Sequence, residues 1–314
     1  MHTRPFGRSG LNLSVLGLGC GAVGGLMVRG TPADRERAVA MSRDAGVNYF
    51  DTAVQYGDGL SETHLGAALA SLGLRDAIVG TKVRLKPAQF GAIAETVTAS
   101  LEASLRRLGR DHVAIFHLHN AITEEGGGDA LSVAQVLGEV LPVFVRLREA
   151  GKTRLIGITA VGETGALHRV VASGAVDSAQ IVINLLNPTA IGRPPPGFTG
   201  QDFQALALAA QRQGCGGIGI RILAGGALSG SIERHDLASP APAPIGSGGD
   251  YAEDVVAARQ FLPLVTQGRA GSLVEAAIRF AIGHEAIAPA LIGIASLEQL
   301  QAALDAVSKG PLAV

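Results

Sequence analysis

The sequence predicts an α/β protein, a closed (β/α)8 barrel of the TIM type, in one domain over residues 1–314 with a short N-terminal β-hairpin. Three observations predict it. A unit of short apolar run, loop, amphipathic helix and frequent glycine stop recurs eight times along the 314 residues. The runs are apolar throughout, as strands buried on both faces are. Charged residues are only 17%, which suits one large core, and no linker divides the chain.

The elements follow in order. Residues 3–6 and 12–14 flank Gly7-Arg-Ser-Gly10 and read as a hairpin. Residues 15–18 are the first strand. Its helix opens at Thr31-Pro32, an N-cap followed by proline at the first helical position, and closes at Gly46. Residues 47–50 are the second strand and 61–72 its helix, stopped by Gly73. Residues 77–79 are the third strand. Its helix carries Ile93, Val97, Leu101, Leu105 and Leu108 on one face and ends at Gly109.

Residues 112–116 are the fourth strand, followed by a Gly-rich loop at 125–129 and a helix ending at Gly151. The fifth strand is 155–158 with its helix at 163–172; the sixth is 179–183 with its helix at 202–212. Residues 217–220 are the seventh strand, after which the repeat is interrupted. Residues 223–231 are Gly-rich, and 239–249 are low in complexity and read as mobile. Helical pattern returns at 251–266 and 272–282. The eighth strand is 289–292 and the last helix 296–307.

Composition excludes several functions. Lys plus Arg is 26 and Asp plus Glu 27, a net charge of −1 with no basic run, so nothing draws the chain to nucleic acid or an anionic membrane. No apolar run is long enough to span a bilayer. The N-terminus lacks the apolar core of a signal peptide, so a cytoplasmic location is expected. Cys20 and Cys215 have no metal-like spacing and read as reduced, buried residues.

In such a barrel the loops after the strands share one face. Asp51 and Tyr56 follow the second strand, Lys82 the third and His119 the fourth. A free phenol titrates near ~10, and a neighbouring ammonium lowers that value. Asp51 can hold the ammonium in place, and an imidazole can orient a carbonyl oxygen. The set fits proton transfer to an oxygen while something else attacks the carbon. Taken singly, each residue has a plain reading: Asp51 a turn former or cap, Tyr56 a rim aromatic, Lys82 a solvated end, His117 or His119 a wall residue. Three consecutive junctions carrying all four are harder to set aside.

The run Asp51-Thr-Ala-x-x-Tyr56-Gly57, then Ser61-Glu62-x-x-Leu-Gly66, Thr81-Lys82 and Phe116-His-Leu-His119, resembles the aldo-keto reductase superfamily, in particular its bacterial aldose- and pyridoxal-type dehydrogenase-reductases. The resemblance runs over essentially the whole chain. It implies that Tyr56 is the general acid or base, that Lys82 depresses its pKa, that Asp51 pairs with Lys82 and that His119, rather than His117, positions the substrate carbonyl. It also implies a nicotinamide coenzyme, NAD or NADP, as hydride carrier, since these four residues move only protons.

No dinucleotide fingerprint follows a strand. Gly17-Leu-Gly19-Cys-Gly21 lacks the spacing and reads as backbone room at the mouth, with Gly21 beside the coenzyme. By resemblance, Thr159 and Gln180 hold the carboxamide, together with Asp51 at the same end of the site. Leu223, Gly226 and the residues to 230 lie over the pyrophosphate, and Gly293, Ser296 and Gln299 surround the adenosine ribose.

The chain departs from the family at several of these positions. A basic residue common at the Gly293 position and an arginine common at Gln299 are missing, and Ala303 replaces a common asparagine. Thr159-Ala160 replaces Ser-Asn, and Ile220 stands where a ring often stacks on the nicotinamide. Without a guanidinium the 2′-phosphate loses a bidentate partner, so NAD gains ground unless Arg221 supplies the charge. The chain has no Trp and only 4% aromatic residues, and Asn120 follows His119 where many members have Trp. That favours small polar carbonyls, aldoses or lactols, with Met27, Val28, Arg29 and Asn120 as rim residues. The competing expectation is a nucleotide-binding regulatory subunit with little turnover, since the superfamily includes channel-associated members. The sequence leaves monomer and homo-oligomer undecided.

Overall fold

A computed structural model describes residues 1–313; Val314, the last residue of the expected domain, lies outside the described residues. In chain order the strands are β1 (Thr3–Pro5), β2 (Asn12–Ser14), β3 (Leu16–Gly19), β4 (Tyr49–Asp51), β5 (Ile78–Val83), β6 (Val113–Leu118), β7 (Ile122–Thr123), β8 (Leu131–Ser132), β9 (Thr153–Ala160), β10 (Ser178–Val182), β11 (Gly216–Ile220) and β12 (Ala290–Gly293). The helices are α1 (Leu26–Arg29), α2 (Pro32–Asp44), α3 (Leu60–Ser71), α4 (Ile93–Leu108), α5 (Val133–Gln135), α6 (Leu141–Glu149), α7 (Thr164–Ala172), α8 (Leu206–Arg212), α9 (Tyr251–Ala258), α10 (Leu262–Thr266), α11 (Leu273–Ala281) and α12 (Leu297–Ser308).

Eight parallel strands, β3 to β6 and β9 to β12, close into a barrel, and β12 returns to β3 with Ala290 opposite Leu16. The antiparallel hairpin β1–β2 precedes it. The expected fold class is therefore observed, and each of the eight strands lies where the apolar runs place it, within a few residues. Local signals act as read. The Thr31 side chain accepts from Asp34 N with Pro32 in the first turn. Gly109 ends α4 at φ 63°, a left-handed conformation that glycine adopts without strain.

Three helices differ from the sequence reading. The helix expected over 202–212 starts at Leu206, because Gln204 and Ala205 hold positive φ of 50° and 56°. The helix expected over 251–266 is divided into α9, a 3-10 turn and α10, with Pro263 in the first turn of α10. The helix before Gly151 is divided by a π turn over Val136–Val140. The 239–249 segment, expected to be mobile, is tied down: Arg221 Nη1 donates to Ala243 O at 3.0 Å and Asn187 Nδ2 to Gly246 O at 2.7 Å.

One core fills the space between barrel and helices, where Phe50, Val79, Phe116 and Ile156 meet Leu65, Val97, Leu101 and Phe144. A second core fills the lower barrel interior. Phe6 and Leu13 pack there with Tyr49, Ile115, Leu155, Ile218 and Leu291. Phe6 closes the base because β11 has glycine at 216; a Cβ there would sit 2.4 Å from its ring. Arg4 ties the hairpin down, donating to the carbonyls of Ile282, His284 and Ile287. Strand alternation puts polar residues above this apolar floor: Asp51 and His117 stand two residues after Tyr49 and Ile115, and Lys82 pairs beside His117. Cys20 and Cys215 are buried free thiols, with burial pushing Cys215 up to about 12 and Cys20 further still. Among the described residues no helix is long and apolar enough to cross a membrane.

Candidate active site

Asp51 is the last residue of β4, Lys82 the fifth of six in β5, and His119 the first after β6. Tyr56 is carried back over the mouth by a tight turn before α3. Gly57 (φ 66°), Asp58 (φ 50°) and Gly59 (φ 88°) are left-handed in succession, and Gly59 N donates to Val54 O at 2.7 Å. A Cβ on Gly57 would approach Val28 Cγ1 to 2.6 Å, so the turn needs glycine for space as well as for φ.

The four side chains converge. The Lys82 ammonium is fully buried and uses its three protons on Asp51 Oδ1, Thr52 O at 2.9 Å and the Tyr56 hydroxyl at 3.1 Å. It also lies 4.7 Å from the Tyr56 ring centre. The Tyr56 oxygen accepts from the ammonium, so its own O–H is left to the mouth. The His119 ring stands edge-on to Tyr56, 5.8 Å between centres. His117 does not join them. It is fully buried beneath, with Nε2 3.0 Å from Ser178 Oγ, and Gly157 leaves room for its ring.

The electrostatics follow from burial and pairing. Desolvation pushes Lys82 down, but Asp51 overrides it, and the ammonium stays charged with a raised pKa. Burial pushes the Tyr56 phenol up; Lys82 pulls it down by charge and hydrogen bond, Asp51 adds to the rise, and the net direction is upward. The expected acidic phenol is thus corrected: burial sets the upward direction, and the lysine moderates the rise without reversing it. Burial, then Lys82 and Arg84, lower His119 to about 3, so it is neutral at physiological pH. Its Nδ1 lies 3.1 Å from Gln55 Oε1. With a carbonyl oxygen as partner, Nδ1 carries the proton and Nε2 is left as an acceptor.

Two contributors were not legible as functional in the sequence. Gln55 sets the His119 ring. Tyr49, read there as part of an apolar strand, donates from its hydroxyl to Asp51 Oδ2 at 3.0 Å. Its position two residues before Asp51, on the same side of a strand, was the available signal.

The expected coenzyme positions share the same mouth. Thr159 and Gln180 are paired neighbours on β9 and β10, with Thr159 Oγ1 3.4 Å from Gln180 Oε1. The Gln180 amide donates to Asp51 Oδ2 at 2.6 Å. Gly21 lies against Tyr56; a Cβ there would touch the ring at 3.5 Å. Leu223 leads into a 3-10 stretch in which Gly225 (φ 71°) and Gly226 (φ 113°) are left-handed. A Cβ on Gly226 would come within 2.7 Å of Arg234 Nη1. Gly293 ends β12 opposite Gly19, and Ser296 caps α12, accepting from Gln299 N at 3.3 Å. An amide-bearing wall beside the phenol, a bare glycine backbone and a helix start beyond it fit a nicotinamide dinucleotide.

The rim reading needs correction. Asn120 is fully buried, bridging the backbone of Leu85 and Asp129, and Met27 and Val28 are buried in α1. Arg29 is exposed but spent on the carbonyls of Ala22 and Leu237. A separate cleft of about 330 Å³, lined by Phe6, Arg8 and Cys215, opens at the hairpin end and carries none of the four residues.

A closed parallel barrel thus carries a buried Asp–Lys pair under a tyrosine at its mouth. The chain belongs to the aldo/keto reductase family, whose model it matches over residues 15–313. It is 38% identical over 164 residues to L-galactose dehydrogenase of Arabidopsis thaliana, a match over 51% of this chain and 48% of that protein. The chain thus spans about half the length of that relative. It is 26% identical to pyridoxal 4-dehydrogenase of Microbacterium luteolum over 95% of this chain and 90% of that one. Among solved structures, the holo form of a Bacillus halodurans aldo-keto reductase shares the fold with a TM-score of 0.74 at 23% identity, covering 100% of this chain and 93% of the other.

Proposed function

We propose that this chain moves a hydride between NAD and the oxygen-bearing carbon of a small hydroxylated compound, an aldose or lactol C1 being the best fit, with Tyr56 as general acid and base. The observation that carries the reading is the buried Lys82 ammonium, held by Asp51 and donating to the Tyr56 oxygen. In reduction Tyr56 gives its proton to the forming alkoxide, and Lys82 stabilises the phenolate left behind. In oxidation the phenolate takes the hydroxyl proton. His119, neutral and edge-on to Tyr56, walls the side of the mouth where that hydroxyl would lie. The coenzyme, when bound, supplies or takes the hydride; Thr159 and Gln180 would hold its amide, and the 223–230 backbone its phosphates.

The rim supports a polar substrate. Arg84 acts on His119, and Arg221 senses Tyr56, so two guanidinium groups lie within electrostatic reach of the reacting pair. Relatives named as dehydrogenases of a sugar and of an aromatic aldehyde support the oxidative direction. Buried free thiols suit the cytoplasm.

The coenzyme preference rests on Glu298. Its carboxylate stands in the first turn of α12, hydrogen-bonded by Ser296 and held below the usual carboxylate range. A 2′-phosphate there meets a negative charge and no guanidinium. NADH should bind about tenfold more tightly than NADPH, and Glu298→Gln should narrow the gap. Titration by nicotinamide fluorescence, with no Trp to interfere, measures both. Tighter NADPH binding overturns the preference. Turnover of an aldose, lactol and aldehyde panel in both directions tests the reaction itself, and no turnover of any member sinks it.

The pH dependence has a definite sign. Tyr56 is a proton donor only below its pKa, which burial raises. Reduction should hold level through neutral pH and fall in the alkaline range, whereas oxidation should climb with pH over that range. Single-turnover rates in the two directions check this, and parallel profiles would contradict it.

A further inference from the structure

We propose that Tyr49 is a positioning residue for the reaction: its hydroxyl pins Asp51 Oδ2 from below, so that Oδ1 holds Lys82 under Tyr56. The inference rests on the reading of Tyr56 as acid and base.

Asp51 is a two-sided acceptor. Oδ1 takes Lys82, and Oδ2 takes Gln180 Nε2 at 2.6 Å and the Tyr49 hydroxyl at 3.0 Å. Tyr49 is fully buried, its ring set in the apolar floor with Ile115, Leu155 and Leu291. The barrel is cut to fit it. A Cβ on Gly80 would sit 2.2 Å from its hydroxyl, and a Cβ on Gly17 would sit 3.2 Å from its ring. The phenol cannot rotate away, and it does not act as a proton relay, because burial and the adjoining carboxylate raise its pKa far above the ordinary value.

The two donors on Oδ2 differ in permanence. Gln180 is also the group assigned to the coenzyme amide, so its hydrogen bond to Asp51 is open to exchange. Tyr49 is held in the apolar floor by the close approach of Gly17 and Gly80 and stays. Without it the carboxylate can pivot, and the Asp51–Lys82–Tyr56 chain loosens. The sign is fixed by charge. The Tyr49 hydroxyl dipole offsets part of the Asp51 charge, and that charge raises Tyr56. A loosened Lys82 also lowers Tyr56 less. Both effects move Tyr56 upward when the hydroxyl is removed.

The chain has three tyrosines and no Trp, so phenolate absorbance in the near ultraviolet resolves them. Titrating the wild type and Tyr56→Phe identifies the Tyr56 step without any coenzyme. In Tyr49→Phe, which keeps the ring, that step should move to higher pH by about half a unit or more, and kcat should fall about tenfold, with KM within about twofold. Tyr49→Leu, also lacking the hydroxyl, repeats the measurement if the Phe variant does not fold. A merely structural tyrosine would lower the unfolding temperature and leave the Tyr56 step in place; an unmoved or lowered step with unchanged kcat overturns the proposal. Full activity of Tyr56→Phe is a separate outcome that removes the underlying reading first.

Discussion

Tyr56→Phe should lower turnover about a thousandfold in both directions while the protein folds normally and binds coenzyme within about twofold of wild type. The substitution removes one oxygen and little else. The ring still meets His119 edge-on and still lies beside the Lys82 ammonium. Lys82 keeps Asp51 and Thr52 as acceptors, so the buried charge remains compensated. What disappears is, among the described residues, the one hydroxyl that accepts from the Lys82 ammonium. Neutral His119, lowered to about 3, cannot replace it as an acid. Steady-state kinetics with a thermal melt beside them give the answer, and turnover within tenfold of wild type would remove Tyr56 from its role.

Lys82→Met should damage both stability and chemistry. The side chain is fully buried, and Asp51 is 3% exposed. Removing the cation strands a carboxylate in a dry interior, which costs about 3–5 kcal/mol when one partner of a buried pair is deleted. Tyr49 and Gln180 still donate to Asp51 and limit the loss. Turnover should fall about a hundredfold or more, because the phenolate form of Tyr56 loses its stabilising charge. The double variant Lys82→Met with Asp51→Leu separates the effects: stability should recover toward wild type, because no lone charge remains, and turnover should not. Denaturant unfolding read against kcat checks this. A single variant as stable as wild type would mean that the pair is not held as described.

Much of the architecture was legible because glycine stops and apolar runs are local. The strand ends were less so. The third strand was read as 77–79, yet β5 reaches Val83 through Thr81 and Lys82. The fourth was read to 116, yet β6 includes His117 and Leu118. Polar residues inside a barrel mouth break the apolar signal while continuing the strand. The left-handed Gln204 and Ala205 carry no compositional mark either. The tetrad showed itself because its order along three strand ends is a sequence property. Asn120 and Val28 read as rim residues in the sequence because depth below the mouth is not one, and Tyr49 reads as core because that is the plain reading of an aromatic in an apolar run. The net direction of the Tyr56 shift also depends on burial, which the residue types alone do not give.

The Phe6 stopper has a consequence for traffic. Among the described residues, the hairpin places Phe6 and the apolar floor between the charged layer and the foot of the cylinder. Under the proposed reaction, a substrate seated in the upper opening would stand between Lys82 and bulk water, so the Tyr56 proton would pass to it directly.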